Sequence, residues 1–177
     1  MINRFLILSL FILFFAGIAN AQKEQLRVSP KASVSQVVGL TEIEIEYSRP
    51  GVKGRKVWGE LVPYNKVWRA GANEATVFEF ESDVLIEGKK LSAGKYSFFV
   101  IPGKEEWTLI FNKVADQWGA FEYNEAEDAL RVTVKPESNE HTEWMSFSFT
   151  NLNPEKGSAV INLCWEKIKV PFTVQEP

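Results

Sequence analysis

The chain has 177 residues, 45% of them hydrophobic, and its 20 Lys and Arg against 23 Asp and Glu leave a net charge of −3. That balance argues against a nucleic-acid partner, which calls for a basic face. One cysteine (Cys164) rules out an internal disulfide, and one histidine (His141) cannot build three-histidine zinc or, with no second base, a Ser–His–Asp arrangement.

The first 21 residues read as a secretory signal peptide. Arg4 supplies the positive start, residues 5–15 (FLILSLFILFF) the apolar run, and Ala19-Asn20-Ala21 the small-residue cleavage pattern. The apolar run is short for a membrane span, so no span is expected after cleavage. No cysteine stands near Ala21, so a lipoprotein anchor is not expected. The expected location is the periplasm or the exterior. Residues 22–177 are expected to form a single domain, with its core at about 26–174. At that length folding hides roughly 68–70% of the unfolded surface, enough for a core without a metal or disulfide.

Period-two alternation dominates the chain. Thr41–Tyr47 (TEIEIEY) sets Ile43, Ile45 and Tyr47 against acidic residues, and Ala75–Glu81 sets Thr76, Phe78 and Phe80 against Val77, Glu79 and Glu81. Val84–Ile86 and Lys89–Leu91 flank Glu87-Gly88, a hairpin signal. Tyr96–Ile101 and Trp107–Phe111 flank a turn at Pro102–Glu105. One helical turn is expected within Tyr123–Ala129, and His141 is expected in a solvated loop, Glu137–Glu143. Leu130–Val134, Met145–Phe149 and Ala159–Val174 complete the strands.

The last segment changes parity. Ala159, Ile161, Leu163 and Trp165 share one face, whereas Ile168, Val170, Phe172 and Val174 follow the other numbering. A bulge or break near Glu166-Lys167 reconciles them, and Pro171 suggests an edge position. Cys164, inside an apolar run, reads as a buried structural thiol. The predicted fold is all-β: an antiparallel sandwich or barrel-like sheet of eight or nine strands with one long packed loop.

That loop is "SRPGVKGRKVWGELVPYNKVWRAGANEAT", residues 48–76, which carries Arg49, Arg55, Arg69, Trp58 and Trp68. Connections beyond ~12–15 residues are uncommon unless functional or disordered, and this one holds too many large apolar groups to stay solvated. Parity places Arg49 and Glu74 on the apolar face at its two ends, where they can form an ion pair. The loop then merely plugs the sandwich. Alternatively Arg49, Arg55 or Arg69 receives an anion through a planar guanidinium fork, and Trp58 or Trp68 stacks on a flat ligand or sugar. Gly71-Ala72-Asn73 is a small-residue approach that lets backbone amides face such a ligand. A second loop, Asn112-Lys113 to Asp116–Gly119, can fold over the same end of the sheet.

The loop, together with "LSAGKYSFFVIPG", "EWTLIFNK", "QWGAFEYNEAEDALRV" and "LCWEKIKVPF", resembles the DUF2911 family of exported bacterial proteins, frequent in Bacteroidetes. The resemblance spans about residues 26–174. It implies an extracytoplasmic β-rich domain and carries over no catalytic residue, because the family's function is unknown.

No nucleotide-binding or serine-hydrolase motif is present, and no EF-hand spacing, although calcium held by carboxylates around Asp116–Asp128 is left open. The expectation is a non-catalytic binding protein without cofactor or metal. Its site residues are Arg49, Arg55, Trp58, Trp68, Arg69, Asn73 and Glu74, and its partner a small anionic or carbohydrate ligand or an envelope protein. The alternative is a glycan hydrolase using Glu74 with Glu60, Asp116 or Glu122.

Overall fold

The computed structural model describes residues 26–177, so the expected signal peptide lies outside the described residues. The chain there forms ten strands: β1 (Lys31–Val38), β2 (Thr41–Ser48), β3 (Thr76–Phe80), β4 (Val84–Ile86), β5 (Lys89–Leu91), β6 (Gly94–Ile101), β7 (Trp107–Asn112), β8 (Asp128–Val134), β9 (Glu137–Asn153) and β10 (Ser158–Gln175). They make two antiparallel sheets, ordered β1-β2-β3-β6-β7-β8 and β5-β4-β10-β9. The all-β expectation holds in its sandwich form, with no closed barrel among the described residues.

Alternation explains how the sheets bury their inner faces. Ile43 and Ile45 on β2 lie opposite Phe80 and Phe78 on β3, and all four are almost fully buried. Phe78 packs with Phe98, Phe111, Phe147 and Phe172 at centroid distances of 4.7–6.1 Å, which joins the two sheets through their aromatic rings. Such pairs add about 0.5–1.5 kcal/mol each beyond area burial.

The Glu87-Gly88 hairpin forms as expected, with φ of 50° and 74° at the two turn residues. The expected helical turn is a short 3-10 segment at Glu125–Glu127, capped by the Asn124 side chain. The bulge is also where parity puts it: the β9–β10 register shifts on both sides of Glu166, whose φ is 56°.

Other readings change. Strand β1, not expected from sequence, is an edge strand whose positions alternate between exposed and half-buried up to the buried Val38. The expected loop at Glu137–Glu143 is the first part of β9, paired through its backbone with Glu166–Lys169. His141 is therefore an exposed strand residue, 3.3 Å from Glu143. Pro171 lies in an inner strand rather than at an edge. It is tolerated between the β9 ladder, which ends at Lys169, and the β4 ladder, which begins at Val174. Cys164 is half-buried and belongs to the face opposite Leu163 and Trp165, and burial pushes its thiol up.

Candidate functional site

The connection from Arg49 to Ala75 closes one end of the sandwich by pairing with both sheets. Val52 N–H donates to Glu143 O at 2.8 Å, Met145 N–H donates to Pro50 O at 3.1 Å, and Gly51 bridges Trp144, so residues 50–52 line the edge of β9. Farther on, Trp68 and Val100 exchange two backbone bonds of 2.8 Å, which lays Trp68 beside β6 beyond the start of β3.

Trp68 thereby enters the core against two other indoles, Trp58 and Trp165. It stacks on Trp165 of β10, with centroids 5.7 Å apart and planes 18° from parallel. Trp58 meets Trp68, Trp107 and Trp165 edge-on at 5.8, 4.8 and 5.8 Å. The loop is a built wall, anchored by two tryptophans of its own.

Gly71 shows how closely that wall fits. A Cβ there would come within 3.1 Å of Ser48 O and 3.2 Å of Thr76 Oγ1, so any side chain would crowd both atoms. Ala72 N–H donates to Ser48 O at 3.2 Å, and Trp68 Nε1 donates to Gly71 O at 3.2 Å. The small-residue turn is spent on the fold.

The three loop arginines meet different fates. Arg49 points inward as parity requires, but its Nε donates to Met145 O at 2.7 Å on β9, not to Glu74. Arg55 folds back on its own turn, donating from Nε to Val52 O at 3.0 Å and from its outer nitrogen to Gly51 O. Arg69 is half-buried and, among the described residues, forms no ion pair, and its Nε is buried without a hydrogen-bond partner. Burial pushes its guanidinium below the ordinary arginine value, and no carboxylate restores it.

Arg69 lines a cleft of about 220 Å³ together with Arg55 and Lys53. Leu61, Val62, Trp68 and Trp165 form its apolar side, and Val28 and Ser29 of the amino-terminal segment close it. Among the described residues no carboxylate lines it. Glu143 stands behind Gly51 and accepts the Lys53 backbone N–H at 2.9 Å. Lys53 Nζ lies 5.6 Å over the Trp144 ring. Among the described residues a second buried donor on a lining residue, Trp165 Nε1, also has no acceptor; Trp58 Nε1 is likewise unpartnered there but is not on the lining. A buried polar group left unsatisfied costs about 1–3 kcal/mol, so each such group calls for an explanation.

Glu74 does not face the core. Asn73 takes φ of 58°, and Glu74 bridges Trp118 of the second loop before β3 begins. Its carboxylate meets Arg27, accepting a bond of 3.1 Å from one guanidinium nitrogen and a closer one from the other. Ser48 Oγ lies 3.4 Å away. The Arg27 hydrogen bond holds Glu74 down at about 2. The expected Arg49–Glu74 pair is thus replaced by Arg27–Glu74, because the chain reverses its facing direction at Asn73.

The second loop does fold over the same end. Ala75 N–H donates to Gln117 O at 2.9 Å, and Gly119 N–H to Asn73 O at 3.0 Å. Gln117 Nε2 donates to Ser97 Oγ and Asn112 Oδ1, which makes this a structural polar network. Asp116 reaches the shallow cleft that also holds Glu74, Glu46 and Lys31. Glu60 is instead paired with Lys56, at 2.9 Å, and Asp128 is bound by Asn112, Tyr123 and Arg131. Among the described residues no group of three or more His, Cys, Asp or Glu is placed to hold a metal.

Of the residues expected from sequence, the structure brings Arg55, Trp68 and Arg69 to one cleft. Arg49, Trp58, Asn73 and Glu74 lie outside its lining. Sequence reasoning missed Trp165 and Lys53 as neighbours of Arg69. The inward parity of Trp165 was visible, but nothing local linked it to a loop so distant in the chain.

The family described as "Protein of unknown function (DUF2911)" matches residues 29–174. The chain belongs to the DUF2911 family. The match runs from the segment before β1 to the end region of β10, so the cleft around Arg69 lies almost wholly within the DUF2911 domain. No curated protein and no solved structure matches the chain.

Proposed function

We propose that this DUF2911 chain is an exported, non-catalytic binding protein, and that its site is the cleft beneath the 48–76 connection. The observation that carries the reading is Arg69. A cation whose buried Nε has no partner among the described residues, in a cleft that two further cations and no described carboxylate line, favours a guest bearing negative charge. Arg49 and Arg55 are held by backbone carbonyls and fasten the loop. Arg69 is left for the guest. The volume suits a small molecule, or the charged end of a larger one, since pockets that engulf drug-sized ligands run to about 300–1,000 Å³.

The test is to incubate the mature chain with a bacterial envelope extract, repurify it, and identify released small molecules by mass spectrometry. The reading expects an acidic compound retained by the wild type and absent from Arg69→Ala. A compound retained equally by both proteins removes Arg69 from the site.

A hydrolytic reading draws on the other cleft, where Asp116 lies near Glu74. The Arg27 bond keeps Glu74 ionised far below neutral pH, which unsuits it as a general acid and leaves it only a base or nucleophile role. Turnover of a glycan by the wild type and its loss in Glu74→Gln would favour this second reading.

A further inference from the structure

We infer that residues 26–29 form a strap that closes one side of the Arg69 cleft, and that the Arg27–Glu74 ion pair is the latch that holds it down. This rests on the reading of the Arg69 cleft as the binding site and names the device that controls entry to it.

The segment is fastened at both ends and lies against the cleft between them. At its base, directly before β1, Pro30 O accepts the Arg49 N–H at 2.8 Å. At its far end Arg27 reaches Glu74 with two guanidinium nitrogens, one of them at 3.1 Å, and Ser48 Oγ at 3.3 Å. Between these points Val28 and Ser29 line the cleft together with Arg55 and Arg69. The further hydrogen bond to the segment among the described residues is a long one, from Asn73 Nδ2 to Ser29 O at 3.5 Å.

Little else holds the strap. Leu26 and Val28 are 95% and 75% exposed, so burial of apolar surface contributes little. Sheet pairing begins only at Lys31. The latch is an ion pair between side chains that are each about one-third exposed, and such pairs hold weakly. Segments with few buried contacts open at low cost, which is the property a gate requires. The latch also stands apart from what it guards. Glu74 is not on the lining of the Arg69 cleft, so breaking the pair frees the strap and leaves the cleft's own side chains in place. Lys31, 3.9 Å from Glu74, belongs to β1 and stays with the body. With the strap down the cleft holds about 220 Å³. With it lifted, Arg69 and its neighbours are open from the side that Val28 and Ser29 now occupy.

The experiment measures how readily Arg69 is reached, with no guest needed. Phenylglyoxal, which condenses with accessible guanidinium groups, is applied to the wild type, Arg27→Gln and Glu74→Gln, and the modification rate of each arginine is read by peptide mass spectrometry. Arg131 of β8, on the opposite edge of the sheet from β1, is the internal reference. The Arg69 rate is expected to rise about two- to fivefold in both variants, the change in open population when an exposed ion pair is lost, with Arg131 unchanged. Thermal unfolding confirms that each variant is folded, and where one is not the other decides. An unchanged Arg69 rate overturns the strap, as does a rise in one folded variant without the other, because the latch needs both partners. A rise that Arg131 shares marks general loosening and also overturns it. An envelope compound retained through Arg69, with an Arg69 rate indifferent to the latch, removes the gate and leaves the site standing. Retention indifferent to Arg69→Ala overturns the site and the gate with it.

Discussion

Trp68 and Trp165 lie face to face, 5.7 Å between centroids, and tie the long connection to the middle of β10. This contact makes Trp68 a structural residue of the loop, apart from Arg69, the proposed binding residue. Trp68→Ala removes a buried ring and its contacts with Trp58 and Trp165, and is expected to lower unfolding free energy by about 3–5 kcal/mol. Urea denaturation followed by circular dichroism measures it. A loss below about 1 kcal/mol would mean that the loop is not anchored through its indoles.

Arg27 and Glu74 supply a pH dependence whose sign is fixed. The folded-state value of Glu74, about 2, lies below the ordinary glutamate value of about 4.3. The unfolded chain therefore takes up the proton first as pH falls. The contribution of this pair is full above the ordinary value and is lost progressively toward pH 2. Both side chains are about one-third exposed, so solvent screens the interaction and its size is modest. Glu74→Gln is expected to flatten the fall in melting temperature between about pH 4.5 and 2. An unchanged slope in that variant assigns acid sensitivity to other carboxylates.

Glu166 holds φ of 56° between the two register shifts of the β9–β10 ladder. A β-branched residue tolerates that conformation poorly and glycine tolerates it freely. Glu166→Val is expected to lose about 1–3 kcal/mol and Glu166→Gly at most a few tenths. Denaturation midpoints of the two variants decide it, and equal effects would argue against a fixed bulge at this position.

An irregularity there was legible in the sequence because the parity of buried residues switches between Trp165 and Ile168, which a bulge or a break can absorb, and the structure has the bulge. The same rule placed Arg49 correctly and Glu74 wrongly. Between Asn73 and Thr76 the backbone leaves the strand conformation, so counting back from Phe78 carries no information there. The partner of Glu74 is Arg27, in a segment without any periodic pattern. Strand β1 and the first half of β9 went unread for a related reason: they carry few large apolar side chains to mark an inner face, although Ala32, Val34 and Val38 of β1 pack on the core. The partners of the arginines were also out of reach. Arg49 is satisfied by a carbonyl 96 positions away, and no local pattern tells it apart from Arg69.

The account turns on Arg69 being kept for a guest and not for the fold. The most direct measurement is the guest-free unfolding free energy of Arg69→Met, which keeps the apolar stem and removes the charge. An unpaired, partly buried cation costs stability, so the variant is expected to be as stable as the wild type or more stable by about 1–2 kcal/mol. A loss of more than about 2 kcal/mol would show that Arg69 supports the fold, and would contradict the account.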